Sequence, residues 1–373
     1  MTKPITLYGV KISMFTGKLR SYLIKQGIAF EEVAPVSEYF QSKIIPQIGR
    51  RIIPVIEMPD GTVVQDTTDI IDYLESEGHA AETVYPDAPL SKILALILEL
   101  FGDEGIIRPA MHYRWSFPDR TDGFITHGFG GWQGPDAPEA TREQSRKTMK
   151  TFAGFLPALG VNAQTIPEIE RAFDELMDIL DAHFARTPYF FGDRPNIGDY
   201  GMMCSLYAHL ARDPVPASRM KNRAPNLYRW TERMNAPHGD YSDMPYYRPS
   251  AGVPDTLGPL FSYIAKYFLP ELEMNVAVLD ALPKGESGSP ATINPQMAVL
   301  GFGSFDHADV PIGCAVRPVR FYMLQRVTDC FAGMDEKSQK QVLDYLSPLG
   351  LAPLLTLIAK HRITRENHTE VWA

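Results

Sequence analysis

Cysteine is scarce: three residues in 373, Cys204, Cys314 and Cys330, stand far apart with no Cys-x-x-Cys and no histidine pair at a zinc spacing. A disulfide framework or a structural zinc site is therefore not expected, nor is any other metal site. Excess basic charge is also missing, since 36 Lys+Arg face 45 Asp+Glu for a net charge of −9. That composition argues against a nucleic-acid-binding surface, which needs surplus Lys and Arg to meet phosphates. The longest apolar runs (IIPVI, ILALILELF, LLTLIA) fall well short of the roughly 20 residues of a membrane span, and the start carries no apolar stretch of signal-peptide length. A cytoplasmic protein with no membrane partner is expected. Internal repeats are lacking as well.

What is present is the material of a packed core: 45% hydrophobic against 22% charged residues, in a length that suits two or three domains. Ile5 to Val10 reads as a short strand. Lys18 to Ile28 follows with Leu19, Tyr22, Leu23 and Ile28 at helical spacing, so a βα unit opens the chain. Phe30 to Val33 is a second strand candidate. Asp60-Gly61 between two apolar runs signals a hairpin, and Thr67 to Glu77 predicts a helix that ends at Gly78. Pro54 stands at the mouth of the first hairpin strand, where a cis peptide is a plausible reason for a proline.

After residues 86–89 the texture turns helical, with candidates over Ser91–Trp115, Thr141–Val161, Ile166–Arg186, Asn196–Arg212 and Ala224–Met234. Phe117 to Pro138, rich in Gly, Pro and Asp, predicts a long loop, with His127 and Trp132 as lid candidates beside a packing or surface role. Asn196 followed three residues later by Asp199 predicts a capping box. Beyond Pro245 the pattern predicts a helix over Thr256–Leu282, a turn over Lys284–Pro290 and a hairpin over Met297–Val316. Helices near Val319–Phe331, Glu336–Tyr345 and Ala352–Ile363 then follow, with Arg362 to His368 as a solvated helix end.

Three segments in order, LYGVKISMFTGKLRSYLIKQGIAFEEV, RRIIPVIEMPDGTVVQDTTDIIDYLE and FFGDRPNIGDYGMM, resemble the glutathione transferase superfamily. The resemblance covers roughly residues 5–237. It implies an α/β thioredoxin-like N-terminal domain over 1–82 and an all-α C-terminal domain over 90–245. A mainly helical extension over 246–373 lies outside the common family pattern. It further implies glutathione as co-substrate, a small-molecule electrophile as partner, and a homodimer.

Carried over by position, Ser13 stands where serine-type transferases keep the hydroxyl that activates the glutathione thiol. Ile53 and Pro54 match the pair whose backbone meets the cysteinyl part of glutathione. Asp66-Thr67 matches the acid-or-Gln and serine that grip the γ-glutamyl end at a helix N-terminus, and Asn196 with Asp199 matches the folding-related capping box. Met14 replaces the usual proline after the active-site residue, and Thr67 the usual serine.

Each residue also has a plainer role. Ser13 and Thr16 are candidate helix caps, and Tyr8, the rival activator at the end of the first strand, is a candidate core aromatic. Arg50 and Arg51 could meet the glycyl carboxylate of glutathione or simply be solvated. Arg108, His112, Tyr113 and Trp115 are gathered in one run where this fold places its electrophile; snorkelling and packing are the competing roles. The leading expectation is an enzyme that activates glutathione for attack on a hydrophobic electrophile, an aromatic one included. The alternative is a non-catalytic protein of the same fold that uses the extension as a partner surface. Thiol-disulfide exchange would need a nucleophilic cysteine where Ser13 stands.

Overall fold

The computed structural model describes residues 3–130, 138–237, 241–249, 252–282 and 299–373; the 284–290 turn, residues 297–298 and Trp132 lie outside them. Strand β1 (Ile5–Tyr8) pairs parallel with β2 (Phe30–Val33) through helix α1 (Met14–Lys25). A π-helical turn (Phe40–Ile44) and the short α2 (Ile45–Ile48) lead to the antiparallel β3 (Val55–Glu57) and β4 (Val63–Gln65), and α3 (Thr67–Ser76) follows. The sheet order is β2-β1-β3-β4, and the Ile53–Pro54 peptide is cis.

Alternation along β1 sorts its side chains between two faces. Ile5 and Leu7 join Leu19 and Leu23 of α1 and Ile70, Ile71 and Leu74 of α3, whereas Tyr8 packs with Phe40, Ile44 and Ile48 on the other side. Helix α1 begins four residues earlier than apolar spacing predicts. Its first turn is fixed by Ser13, whose Oγ accepts the Thr16 N–H at 3.3 Å, a contact to which hydrophobic periodicity is blind.

The helical part runs α4 (Pro89–Leu100), a π-helical turn (Phe101–Gly105), α5 (Ile107–Trp115), α6 (Pro118–Gly130), α7 (Glu139–Ala153), α8 (Ile166–Phe184), α9 (Ile197–Ser205), a second π-helical turn (Leu206–Ala211), α10 (Pro214–Arg223) and α11 (Pro225–Asn235). The single helix expected over Ser91–Trp115 is interrupted where α9 crosses it. A Cβ on Gly102 would lie 2.3 Å from the Gly201 carbonyl carbon, and one on Gly201 2.5 Å from the Glu99 Cα. Only glycines permit that approach. The loop expected over Phe117–Pro138 is corrected in its first part: residues 118–130 are helical, with Pro118 opening α6 and Ile125 buried on its inner side. Helix α10, also unforeseen, again starts at a proline. The capping box at Asn196 forms with both its bonds.

The extension is folded onto both preceding parts and shares one continuous core with them. It comprises α12 (Gly258–Tyr267), α13 (Leu269–Asp280), the hairpin β5 (Gly301–His307) and β6 (Val310–Val316), α14 (Pro318–Ala332), α15 (Glu336–Leu346), and a second hairpin of β7 (Ile363–Glu366) and β8 (Thr369–Trp372). The helix expected over Thr256–Leu282 breaks before Pro270. The helix expected over Ala352–Ile363 is a short 3-10 turn (Ala352–Thr356), and the supposed solvated end at Arg362–His368 is the first arm and turn of the β7–β8 hairpin. That turn has positive φ at Asn367 (46°) and His368 (63°), the geometry of a type I′ turn, built without the glycine that usually announces it.

Helices α14 and α15 lie on α4, and α14 carries a row of arginines into the preceding part of the chain. Arg317 and Arg320 both reach Glu104. Arg320 also holds Glu271 at 2.7 Å, which Arg108 shares at 2.9 Å, and Arg326 reaches Asp72 at 2.5 Å and Glu99 at 3.5 Å. These carboxylates, Asp72 excepted, are almost fully buried. Removing one partner of a buried pair strands the other and costs about 3–5 kcal/mol, so the extension is bound into the fold.

Candidate functional site

One end of the sheet gathers the ligand candidates. Tyr8 pairs with Val55, and Val55 with Gln65, so the end of β1, the start of β3 after Ile53-Pro54 and the end of β4 before Asp66 share one level. The β1–α1 loop brings Ser13 to the same end. The Thr67 hydroxyl donates to the Phe15 carbonyl at 3.3 Å, which joins the first turns of α1 and α3.

Ser13 is half-buried. Its Oγ is an acceptor for the cap, and its proton has no acceptor among the described residues. The backbone just before it is held by Arg114, the second arginine of the Arg108–Trp115 run, which the sequence reading placed with the electrophile and not with the Ser13 loop. Arg114 donates from Nη1 to the Ile12 carbonyl at 2.7 Å and clamps Asp213 with Nε and Nη2 at 2.7 and 2.8 Å. Arg212 donates to the neighbouring Lys11 carbonyl.

Beneath the first turns of α1, the wholly buried Lys18 bridges Glu99 at 2.9 Å and Asp103 at 2.6 Å. Burial and the nearby Glu99 charge push the Asp103 carboxyl up to about 7 against the pull of Lys18. Met14, in place of the family's proline, is buried and takes a contact from the Ser205 hydroxyl at 3.6 Å. Thr16 Oγ1 is buried with no partner among the described residues.

Asp66 is the N-cap of α3 with φ of +78°, and its Oδ1 accepts the Thr68 N–H at 3.0 Å. A non-glycine residue there is strained. Its carboxylate is paired with Arg365 of the terminal hairpin, Nη1 at 3.0 Å from Oδ1 and Nη2 at 3.2 Å from Oδ2. Burial pushes the Asp66 carboxyl up, but Arg365 outweighs it and the group is held below its ordinary range. Arg365 also meets Asp69 at 2.9 Å and Glu370 at 3.2 Å and lies over the Tyr322 ring at 4.2 Å. Arg50 donates to Gln65 at 2.6 Å and stands 3.7 Å from Glu370, with its buried Nε unpartnered among the described residues; Arg51 is exposed at the rim. No sequence signal within reach of Asp66 pointed to Arg365, which lies 299 residues away.

Not every candidate joins this group. Tyr8 faces the α2 side of the sheet and donates to Glu57 at 2.7 Å; burial, with that carboxylate, raises its phenol well above its ordinary range. The four residues of the α5 run diverge around the helix instead of lining one pocket. Arg108 turns to Glu271 and donates to the Leu159 carbonyl at 2.8 Å. His112 lies between Ser116 and Glu170, and burial lowers its pKa. Tyr113 belongs to an open cleft of about 340 Å³ with Phe117, Arg120, Glu170 and Arg219. Trp115 packs on Phe129 of α6. The surface beside the Ser13 loop is built by α6: Gly128 closes on Ile12, and Arg212 lies over the Phe124 and Tyr207 rings at 5.6 and 5.9 Å. Among the described residues no group of His, Cys, Asp or Glu could hold a metal ion, and no helix is long and apolar enough to cross a membrane.

A mixed four-stranded sheet with its ligand candidates at one end, followed by a set of helices of which α9 starts at a capping box, defines a thioredoxin-like domain joined to an all-α domain. Residues 7–81 match the family model of the glutathione S-transferase N-terminal domain, and residues 144–237 that of the glutathione S-transferase C-terminal domain. The chain belongs to the glutathione transferase superfamily, with residues 238–373 beyond both matches. No curated protein matches it in sequence. Similar solved structures include glutathione transferase GSTFuA3 from Phanerochaete chrysosporium, with 15% identity over 63% of this chain and 97% of that one at a TM-score of 0.43. Another is the β-etherase LigF from Sphingobium sp. strain SYK-6, with 19% identity over 63% and 96% at 0.41. A third is a glutathione S-transferase from Rhodospirillum rubrum F11, with 15% over 67% and 96% at 0.38.

Proposed function

We propose that the chain is a glutathione transferase in which Ser13 activates the thiol and the α3 N-terminus holds the γ-glutamyl end. The observation that carries the reading is a set of uncommitted polar groups at one end of the sheet. They are the Ser13 hydroxyl proton, the Thr67 backbone N–H, the lone pairs that Thr68 and Arg365 leave free on the partly exposed Asp66, and the Arg50 Nε. Ile53 and cis-Pro54 border them, and Arg51 stands at the rim for the glycyl carboxylate. These residues fit a tripeptide with an ammonium and two carboxylates.

A free thiol has a pKa near 8.5, and lowering it by about two units needs roughly 2.7 kcal/mol. A hydrogen bond from Ser13 to the charged sulfur supplies about 1.5–3 kcal/mol, and the α1 N-terminus, which starts directly at Ser13, about 0.3–1 more. The electrophile then meets the thiolate against α6, whose Phe124 and neighbouring Tyr207 and Trp115 suit a hydrophobic, aromatic compound. The assembly-protein reading makes the extension a partner surface, yet the arginines of α14 turn inward onto acids of the same chain. A homodimer, the family's usual state, would have to form away from the outer face of α4, which α14 and α15 cover.

Calorimetric titration with glutathione, watched for thiolate absorbance and repeated on Ser13→Ala, tests the reading. The expected result is binding with a thiolate signal that Ser13→Ala removes, while affinity falls by less than about tenfold. No binding at millimolar glutathione sinks the reading; an unchanged thiolate signal removes Ser13 from it.

A further inference from the structure

The terminal hairpin does more than close the chain. Gln325 of α14 pins Ile363 by both its amide and its carbonyl oxygen (2.6 and 2.9 Å), and the register sets Arg365 opposite Glu370. That places a nearly buried guanidinium, 7% exposed, against both oxygens of Asp66. A carboxylate offers about four lone-pair positions. Thr68 N–H uses one on Oδ1 and Arg365 Nη2 one on Oδ2, while Nη1 stands 3.0 Å from Oδ1 as a charge partner; one position is left on each oxygen, and the Asp66 side chain is 24% exposed. Asp66 thus keeps acceptor capacity within reach of a ligand. Two further contacts keep Arg365 from wandering: Asp69, itself held by the Tyr322 hydroxyl at 3.1 Å, and the Tyr322 ring.

We propose that Arg365 is a positioning residue for ligand recognition: it fixes Asp66 as an ionised, oriented acceptor whose remaining lone pairs take the α-ammonium of the γ-glutamyl group. The proposal rests on the reading of Asp66-Thr67 as the γ-glutamyl grip. It assigns to the extension a part in ligand selection that neither matched domain contains. The planar guanidinium orients the carboxylate by one hydrogen bond to Oδ2 and a charge contact at Oδ1, two points where an ammonium offers one. The strained backbone at Asp66 aims the side chain, and Arg365 prevents it from turning away.

The test uses the full chain and two ligands, glutathione and glutaryl-cysteinylglycine, which lacks only the α-amino group. Wild type is expected to prefer glutathione by about tenfold. Arg365→Ala is expected to bring that preference close to one, and Arg365→Lys, which keeps the charge but not the fork, to an intermediate value. A general loosening of the site would weaken both ligands alike and leave the ratio intact, which overturns the proposal. Tighter glutathione binding by Arg365→Ala also overturns it, because the hairpin would then be obstructing the site. Should Arg365→Ala fail to fold, a full tenfold preference in Arg365→Lys has the same force. Failure of the underlying reading looks different, since wild type itself would then bind neither ligand and the proposal would fall with it.

Discussion

Two carboxylates stand at helix starts in this molecule, and they have opposite accounts. Asp199, in the first turn of α9, is wholly buried and accepts four donors: the Asn196 backbone N–H (3.0 Å) and side-chain amide (2.7 Å), the Phe190 N–H (3.2 Å) and the Trp230 indole (3.0 Å). Asp66, at the start of α3, accepts two, from Thr68 N–H and Arg365 Nη2, and is partly open to solvent. Burial outweighs the donors around Asp199 and pushes its carboxyl up to about 7, whereas at Asp66 a guanidinium outweighs burial and the group stays ionised. The difference teaches a rule of satisfaction. A carboxylate with every lone pair taken by its own chain builds the fold, and one held in place with a lone pair to spare can serve a ligand.

The largest effect follows from emptying the saturated site. Asp199→Ala strands four buried donors at about 1–3 kcal/mol each, so a loss of about 4 kcal/mol or more is expected. That is a large share of the 5–15 kcal/mol that holds a domain together. Urea midpoints measure it. Glutathione affinity of the folded fraction should not change. A loss below about 1 kcal/mol would dissolve the distinction between the two sites.

Asp66→Gly is the mirror experiment. Glycine accepts φ of +78° without strain, and glycine in place of an N-cap acid costs only a few tenths of a kcal/mol. Arg365 keeps Asp69 and Glu370. Stability should fall by about 1 kcal/mol or less, while glutathione loses a hydrogen bond to a charged group, about 1.5–3 kcal/mol, or roughly 10- to 150-fold in affinity. A large stability loss with unchanged affinity would place Asp66 beside Asp199 as a structural group.

The same accounting explains how much was legible in the sequence. Short apolar, β-prone segments, Asp60-Gly61 and the Asn196-Asp199 bracket announced the sheet and the box because each is a local rule acting on neighbours. Arg365 was invisible because its meaning depends on a docking surface made by α3 and α14, and its hairpin turns on Asn367-His368 without glycine. Tyr8 takes the core role open to it rather than the activator's, because the strand's period sends Leu7 to α1 and Tyr8 to the opposite face. The α5 run misled for a related reason. Residues close in sequence diverge around a helix, so Arg108, Tyr113 and Arg114 end at the extension, the α8 side and the Ser13 loop respectively.

The finest test of the comparison lies one residue beyond Asp66. Thr67 has two polar groups with different commitments: its hydroxyl is directed to the Phe15 carbonyl at 3.3 Å, while its backbone N–H, at the first position of α3, has no partner among the described residues. Thr67→Val removes the first and preserves the second with almost the same shape. If satisfied groups build and unsatisfied ones bind, stability should fall by about 0.5–1.5 kcal/mol, the net worth of one hydrogen bond. Glutathione affinity should then stay within about twofold. A tenfold loss of affinity would show that the hydroxyl leaves Phe15 when the ligand arrives, and would give Thr67 the direct role that the family's serine holds.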